Sequence, residues 1–272
     1  MVEMKKLGVI GNPIKHSLSP EIHTIFAREH GIDISYTKIE STIDSFNKDV
    51  EEFFQNDGIG LNITLPFKEM AYNLSDEPDN HSRKSESCNT LLKKNGNLQS
   101  FSTDGLGFLK DLSNNKIDLE NISILILGAG GSAKSIIKVL DDLKLSSTQL
   151  SIYNRTESKV EEILDKYKTS KNIIKFDNKL KYDLIINCTS VNIIDDVICF
   201  PPNIFKDKSV AYDLFYSNKD TKFEEWAKQC GAEKTINGIG MLIEQAALSY
   251  NIWNDFMPTT STVKSKIGYL SM

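Results

Sequence analysis

Three short stretches of this 272-residue chain hold side chains that could do chemistry together. The first is Asn62-Ile63-Thr64-Leu65-Pro66-Phe67-Lys68. It sets one lysine after a strand-like run and a proline turn, beside small hydrogen-bonding side chains. Proline fixes its own φ and pushes the preceding residue toward extended backbone. The Lys68 ammonium is therefore expected on a stiff platform and not on a floppy surface helix. The second stretch, Ser102-Thr103-Asp104-Gly105-Leu106-Gly107, supplies a carboxylate in a turn. The third, Gly128-Ala129-Gly130-Gly131-Ser132-Ala133, reads as a dinucleotide-phosphate loop. A lysine, an aspartate and a nucleotide loop point to hydride transfer to or from a small polar molecule. Reducing a ketone needs a hydride at carbon and a proton at the developing alkoxide. Lys68, cationic at neutral pH in ordinary surroundings, is the candidate proton donor and electrostatic stabiliser. Asp104 would orient it and accept a hydrogen bond from a substrate hydroxyl. Such a dyad needs no metal, and the chain has no H-E-x-x-H or comparable ligand cluster.

The glycine string gains weight from its context. It follows an apolar strand-like run at 122–127 and opens a helix-like run at 132–143, as a dinucleotide loop requires. Gly128 permits the tight turn, Gly130 lets the backbone approach a pyrophosphate, and Ala133 takes the close-packing place. The helix N-terminus then offers free N–H groups to the anion. A glycine-rich turn without a ligand is the plain alternative. The end of the next strand carries Asn154-Arg155-Thr156 and no carboxylate. A carboxylate would hold the ribose hydroxyls of NAD, whereas a guanidinium can bind the 2′-phosphate of NADP with charge-assisted hydrogen bonds. NADP is therefore the expected cofactor, unless Arg155 is simply a solvated surface residue.

Ser17-Leu18-Ser19-Pro20 places two hydroxyls two residues apart at a helix start. They can form a carboxylate cradle, because hydroxyls donate and a helix N-terminus favours an anion. A serine N-cap at Ser19 with proline at the first helical position explains the same residues without a ligand. His16 sits beside this motif, where a local hydrogen-bonding role fits better than catalysis.

The elements that must position these residues can be read in outline. Runs at 7–10, 35–39 and 60–64 read as strands, and 21–30 and 46–56 as helices. Phe46, Val50, Phe53 and Phe54 share one face of the second helix. This βα alternation implies a mainly parallel sheet. A helix over 105–112 leads into the polar Ser113-Asn114-Asn115-Lys116, a candidate hinge. A second βαβ series follows, with strands at 150–153, 184–186 and 210–212 and a helix at 241–250.

Composition bounds the partners. At 40% hydrophobic and 25% charged, the chain has the make-up of a soluble globular protein long enough for two domains. A formal net charge of −5 without a basic stripe gives no reason to expect nucleic acid. No apolar run approaches a membrane span, and no signal peptide is evident, so a cytoplasmic protein is expected. Cys88, Cys188, Cys199 and Cys230 form no C-x-x-C pair, which indicates neither a zinc site nor a redox dithiol.

Taken in order, HSLSP, NITLPFK, CNTL, STDGLG, GAGGSAK, NRT, NCTS and GMLIEQAA resemble the shikimate dehydrogenase family along nearly the whole chain. The resemblance implies an α/β fold with two parts. Residues 1–104 would form a substrate-binding domain completed by C-terminal helices at 241–272. Residues 105–240 would form an NADP-binding Rossmann domain, with the active site in the cleft between the two. It implies NADPH-dependent reduction of 3-dehydroshikimate to shikimate, in aromatic amino-acid biosynthesis, by a monomer or homodimer. By the same resemblance Ser17 and Ser19 hold the substrate carboxylate. Thr64, Lys68, Asn89, Asp104, Tyr216 and Gln245 are the remaining substrate ligands, with Lys68 and Asp104 catalytic. Thr189, Gly238 and Met241 join the glycine loop and the 154–156 stretch on the cofactor side, Met241 lying against the nicotinamide. The chain departs from the family pattern in several places. Ser85-Glu86-Ser87-Cys88 replaces I-G-A-x, Ser102 replaces asparagine, Val191-Asn192 replaces Gly-Met, Asn218 replaces proline and Asn237 replaces aspartate. A quinate/shikimate dehydrogenase of broader specificity and a non-catalytic NADP-binding sensor are the alternatives.

Overall fold

The computed structural model describes residues 4–170, 172–190, 200, 203–217 and 219–268. In chain order the elements are β1 (Lys5–Gly11), α1 (Ser19–His30), β2 (Ile34–Glu40), α2 (Phe46–Gln55), β3 (Gly58–Ile63), α3 (Lys68–Leu74), β4 (Glu77–Pro78), α4 (Asn80–Ser85), β5 (Thr90–Lys94), β6 (Asn97–Phe101) and α5 (Asp104–Asn114). They continue as β7 (Ser123–Leu127), α6 (Gly131–Asp142), β8 (Gln149–Tyr153), α7 (Glu157–Lys166), β9 (Ile173–Lys175), β10 (Tyr182–Asn187), β11 (Phe205–Asp213), α8 (Lys222–Gln229), β12 (Lys234–Ile236), α9 (Ile239–Asn254) and α10 (Thr260–Gly268). The chain divides into two units. One holds the described residues up to Lys110 and those from Leu242 onward, and the other runs from Asp111 to Met241. The division passes through α5, and the polar residues 113–116 fall in the second unit. Val191, Asn192, Cys199 and Asn218 lie outside the described residues, as does the end of the C-terminal segment expected to complete the first domain.

The first unit is built on a six-stranded sheet of order β2-β1-β3-β5-β6-β4. β1 pairs in parallel with β2 and β3, but β5 runs antiparallel to both β3 and β6. The expectation of a mainly parallel sheet holds for five of the six strands: β4 pairs in parallel with β6, and only β5 runs the other way. The physical reason is local. Asn95 and Gly96 take φ of 53° and 87°, the left-handed pair that closes a two-residue hairpin between β5 and β6. Helix α1 ends as its sequence suggests, at Gly31 with φ 74°. Its start differs from the expected serine cap. Leu18 occupies the cap position without a side-chain bond, and Ser19 is already helical. The Ser17 hydroxyl instead accepts the Ser19 N–H at 3.3 Å, so the capping oxygen comes from two residues upstream. Phe46, Val50 and Phe54 of α2 close over Leu61 and Ile63 of β3, with Phe67 and Leu91, to form the core of this unit.

The second unit is an all-parallel sheet of order β12-β11-β10-β7-β8-β9. Numbered from its own first strand this is 6-5-4-1-2-3, the arrangement of a dinucleotide-binding Rossmann sheet. Strands buried on both faces read as apolar runs, as Ile124 to Leu127 and Leu184 to Ile186 do. Helix α8 starts with a capping box, Thr221 bonding the Glu224 N–H and Glu224 reaching back to the Thr221 N–H. Among the described residues no helix is long and apolar enough to cross a membrane.

Candidate active site

Seven of the sequence-predicted substrate residues come together in the first unit, and the topology explains why. Ser17 and Ser19 follow the end of β1, and Thr64 and Lys68 follow β3. Asn89 precedes β5, which runs the opposite way, and Asp104 follows β6, so all of them gather at one end of the strands. Gln245 comes from α9. Gly107 lets it approach, since a Cβ at Gly107 would stand 2.7 Å from the Gln245 backbone nitrogen.

Lys68 is the first residue of the short helix α3. Its platform is firm because the preceding Phe67 is fully buried and stacks on Phe46 with centroids 4.7 Å apart. Leu65–Pro66 is a cis peptide, as is Asn12–Pro13. The Lys68 Nζ donates to Asp104 Oδ2 at 2.5 Å, with side-chain exposures of only 12% and 7%. Asp104 Oδ1 accepts from Asn89 Nδ2 at 3.1 Å. The same Asn89 nitrogen faces Gln245 Oε1 at 2.8 Å and Thr103 Oγ1 at 2.7 Å, while Asn89 Oδ1 accepts the Thr103 N–H at 2.7 Å. Lysine, aspartate, asparagine and glutamine thus form one hydrogen-bonded assembly. The two serine hydroxyls lie 3.2 Å apart. Thr64 is pinned by its N–H to the Ile10 carbonyl at 3.0 Å. Burial pushes the neighbouring Cys88 thiol upward, which makes it an inert packing residue despite its place beside Asn89.

Beneath the assembly runs a polar layer that the motif reading missed. Asn62 Nδ2 donates to the Asn89 carbonyl at 3.1 Å and to Ser249 Oγ at 3.1 Å, and Asn62 Oδ1 accepts from the Tyr36 hydroxyl at 2.7 Å. Thr90, Thr103 and Ser249 add a cluster of buried hydroxyls. Each lies next to a motif residue, since Asn62 opens the lysine motif, Thr103 precedes Asp104 and Ser249 lies one helical turn beyond Gln245, but that position alone does not mark a supporting role.

The predicted cofactor residues lie in the second unit. Gly128 has φ 110°, the left-handed region only glycine adopts freely, and a Cβ there would stand 3.1 Å from the Cys188 carbonyl. Gly130 is the N-cap of α6, with nothing within 4 Å of where its Cβ would be. Ala129 and Ala133 are buried, and Gly131 and Ser132 form the first turn of the helix. The loop therefore sits where β7 and β10 send the chain to opposite sides, the place where such sheets take dinucleotides. Its open backbone and the N–H groups of α6 suit a pyrophosphate. Asn154, Arg155 and Thr156 follow β8, with Asn154 Nδ2 bonded to the Thr156 carbonyl at 2.9 Å and Arg155 exposed. Thr189 is held by Asn187 Oδ1, which accepts from its hydroxyl at 2.6 Å. Asn187 also donates to Asp213 at 2.9 Å, and Asp213 accepts the Phe215 N–H at 3.1 Å, beside Tyr216. Gly238 donates to the Phe215 carbonyl at 2.9 Å, and Met241 is buried. Asp111 accepts from the Tyr212 hydroxyl at 2.7 Å, and burial together with this carboxylate raises the Tyr212 pKa well above its ordinary value. Among the described residues no group of His, Cys, Asp and Glu is arranged to hold a metal.

A Rossmann sheet with a glycine turn at its switch point, in one chain with an α/β unit that carries a buried lysine–carboxylate pair, defines a nicotinamide-nucleotide-dependent oxidoreductase. Residues 9–91 match the family described as the shikimate dehydrogenase substrate binding domain. Residues 111–195 match shikimate / quinate 5-dehydrogenase, and residues 238–266 match the shikimate 5'-dehydrogenase C-terminal domain. The chain belongs to the shikimate dehydrogenase family. It is 38% identical over 267 residues to the shikimate dehydrogenase (NADP(+)) of Shewanella halifaxensis, covering 97% of this chain and 95% of that protein. It is 40% identical over 262 residues to the same enzyme of Legionella pneumophila strain Corby, covering 96% and 97%. The crystal structure of shikimate 5-dehydrogenase from Thermus thermophilus in complex with NADP(H) and shikimate superposes with a TM-score of 0.86 at 27% identity, over 99% of this chain and 100% of that one. Shikimate dehydrogenase from Aquifex aeolicus gives 0.86 at 30% identity, over 98% of each.

Proposed function

We propose that this chain reduces 3-dehydroshikimate to shikimate with NADPH, and runs the reverse reaction with NADP, as a step of aromatic amino-acid biosynthesis. The observation that carries the reading is the buried Lys68–Asp104 pair, bonded through Asn89 to Gln245 in one assembly. Bound NADPH supplies the hydride that reaches the carbonyl carbon. The chain's own residues do the rest. Ser17 and Ser19 take the substrate carboxylate. Thr64, Asn89, Gln245 and Tyr216 take the ring oxygens, and the paired Lys68 ammonium gives the proton to the developing alkoxide. Asp104 keeps that ammonium in place and accepts from a ring hydroxyl. The glycine loop 128–133 with Thr189, Gly238 and Met241 holds the dinucleotide, and Asn154, Arg155 and Thr156 read its adenosine end, with Arg155 on the 2′-phosphate. We place the enzyme in the cytoplasm, where Cys88 and Cys230 stay as thiols, acting as a monomer or homodimer that sedimentation distinguishes.

The test is NADPH oxidation in the presence of 3-dehydroshikimate, followed by loss of reduced-nicotinamide absorbance. Shikimate and quinate with NADP and with NAD complete the panel. Turnover of 3-dehydroshikimate with NADPH is expected to dominate. NADPH binding without turnover of any of these compounds would return the chain to the sensor alternative.

A further inference from the structure

Thr103 is buried, and its hydroxyl stands between three groups: Asn89 Nδ2 at 2.7 Å, Gln245 Oε1 at 3.3 Å and Ser249 Oγ at 3.3 Å. Two of these belong to carboxamides whose orientation decides what the site offers a ligand. A backbone N–H can only donate, so the Thr103 N–H fixes Asn89 Oδ1 on its side and turns Nδ2 the other way. That nitrogen has two hydrogens for three acceptors: Thr103 Oγ1, Asp104 Oδ1 and Gln245 Oε1. The Thr103 hydroxyl accepts from it and carries one hydrogen of its own toward Gln245 Oε1. Gln245 Oε1 thus faces donors on the protein side, and its Nε2 gives one hydrogen to the Leu242 carbonyl at 2.8 Å. The second Nε2 hydrogen has no partner among the described residues. Behind Thr103, the Ser249 hydroxyl ties α9 to the strands through Asn62 and Thr90 at 3.1 and 2.7 Å, and donates to the Gln245 carbonyl at 3.1 Å.

We propose that Thr103, packed against the Ser249 hydroxyl, is a positioning residue that locks the Gln245 and Asn89 carboxamides in one sense, so that Gln245 presents an N–H and Asp104 a carboxylate oxygen to a ring hydroxyl of the substrate. A hydroxyl both accepts and donates, so it answers both groups; a methylene answers neither. The inference rests on the substrate class proposed above and adds the residue that makes the site read hydroxyls.

Thr103→Val keeps the shape and the N–H to Asn89 while deleting the hydroxyl. Calorimetry would compare shikimate with analogues that each lack one ring hydroxyl. Thr103→Val should weaken shikimate about 10-fold, the scale of one buried hydrogen bond left half-made. The analogue lacking the hydroxyl that Gln245 and Asp104 read should change little, so discrimination between the two narrows by that factor. KM should rise with kcat less affected, and NADPH affinity should stay constant. Thr103→Ala should shift the same ratio in the same direction while Thr103→Ser, which keeps the hydroxyl, should leave it unchanged, and this pair carries the test should Thr103→Val not fold. Equal weakening of every ligand with a lower Tm would mean a structural role and overturn the inference. So would an unchanged ratio in Thr103→Val or Thr103→Ala of a wild-type protein that binds shikimate normally, and this leaves the proposed function standing. A wild-type protein with no affinity for shikimate overturns both.

Discussion

His23→Phe should make the first unit markedly less sensitive to mild acid. His23 is fully buried on α1, stacked on Tyr36 with centroids 4.7 Å apart and packed near Phe26, Tyr250 and Trp253. Neither ring nitrogen has a partner in hydrogen-bonding geometry, although the nearby Asn62 side chain offsets part of the effect of burial. Burial lowers the pKa from 6.5 to about 3. The sign follows from proton counting. Below pH 6.5 the unfolded chain takes up a proton that the native chain refuses, so stability falls as pH drops from 6.5 toward 3. At pH 5 the unfolded group lies 1.5 units below its ordinary pKa, and each unit costs about 1.4 kcal/mol, so His23 alone removes about 2 kcal/mol between pH 7 and pH 5. The other three histidines are present in both proteins and cancel in the comparison. The two tryptophans separate the units, because Trp253 belongs to the first and Trp226 to the second. In a Trp226→Phe background, urea unfolding followed by Trp253 fluorescence at pH 7 and pH 5 reads the first unit. The acid penalty should be about 2 kcal/mol smaller with phenylalanine at position 23. An equal penalty in both proteins would refute the claim that the native ring stays neutral. The consequence reaches the site, since Tyr36 both stacks on His23 and holds Asn62.

Lys68→Ala should lower kcat by about 10²- to 10⁴-fold with KM changed much less, as expected for a positioned proton donor, and near-normal turnover would remove Lys68 from that role. Arg155→Ala should weaken NADPH by roughly 10- to 100-fold, or about 1.5–3 kcal/mol for one charge-assisted group, while NADH binding stays nearly constant; equal weakening of both would mean that Arg155 acts through structure. Glu86→Gly should leave activity intact and raise stability by up to about 1 kcal/mol, because Glu86 closes α4 at φ 52°, in the left-handed region that a Cβ disfavours; a lower Tm would show that side-chain contacts of Glu86 outweigh the backbone strain.

Legibility in the sequence followed the physics of each signal. Elements with a strong period or a dedicated terminator were readable: the α2 face of Phe46, Val50 and Phe54, the Gly31 stop of α1, and the β7–glycine loop–α6 unit all depend on local rules. Pairing direction was not local in the same way. The β5–β6 hairpin sets β5 against the other strands of the first sheet, yet its only sequence mark is Asn95-Gly96, two residues within a polar run. Helix α8 escapes the sequence reading although Thr221 and Glu224 spell a capping box, because the helix is short and five of its eight residues are polar. The site divides along the same line. Groups that meet a ligand stand in motifs, since their chemistry restricts residue type as well as position. Groups that hold them, such as Asn62, Thr103 and Ser249, restrict only a hydrogen-bonding direction at one point in space. Any small hydroxyl or amide of the right sense could serve there, so a single sequence does not mark them. Their assignment needs the one fact a sequence lacks, namely which hydrogen points at which oxygen once β3, β5 and α9 have come together.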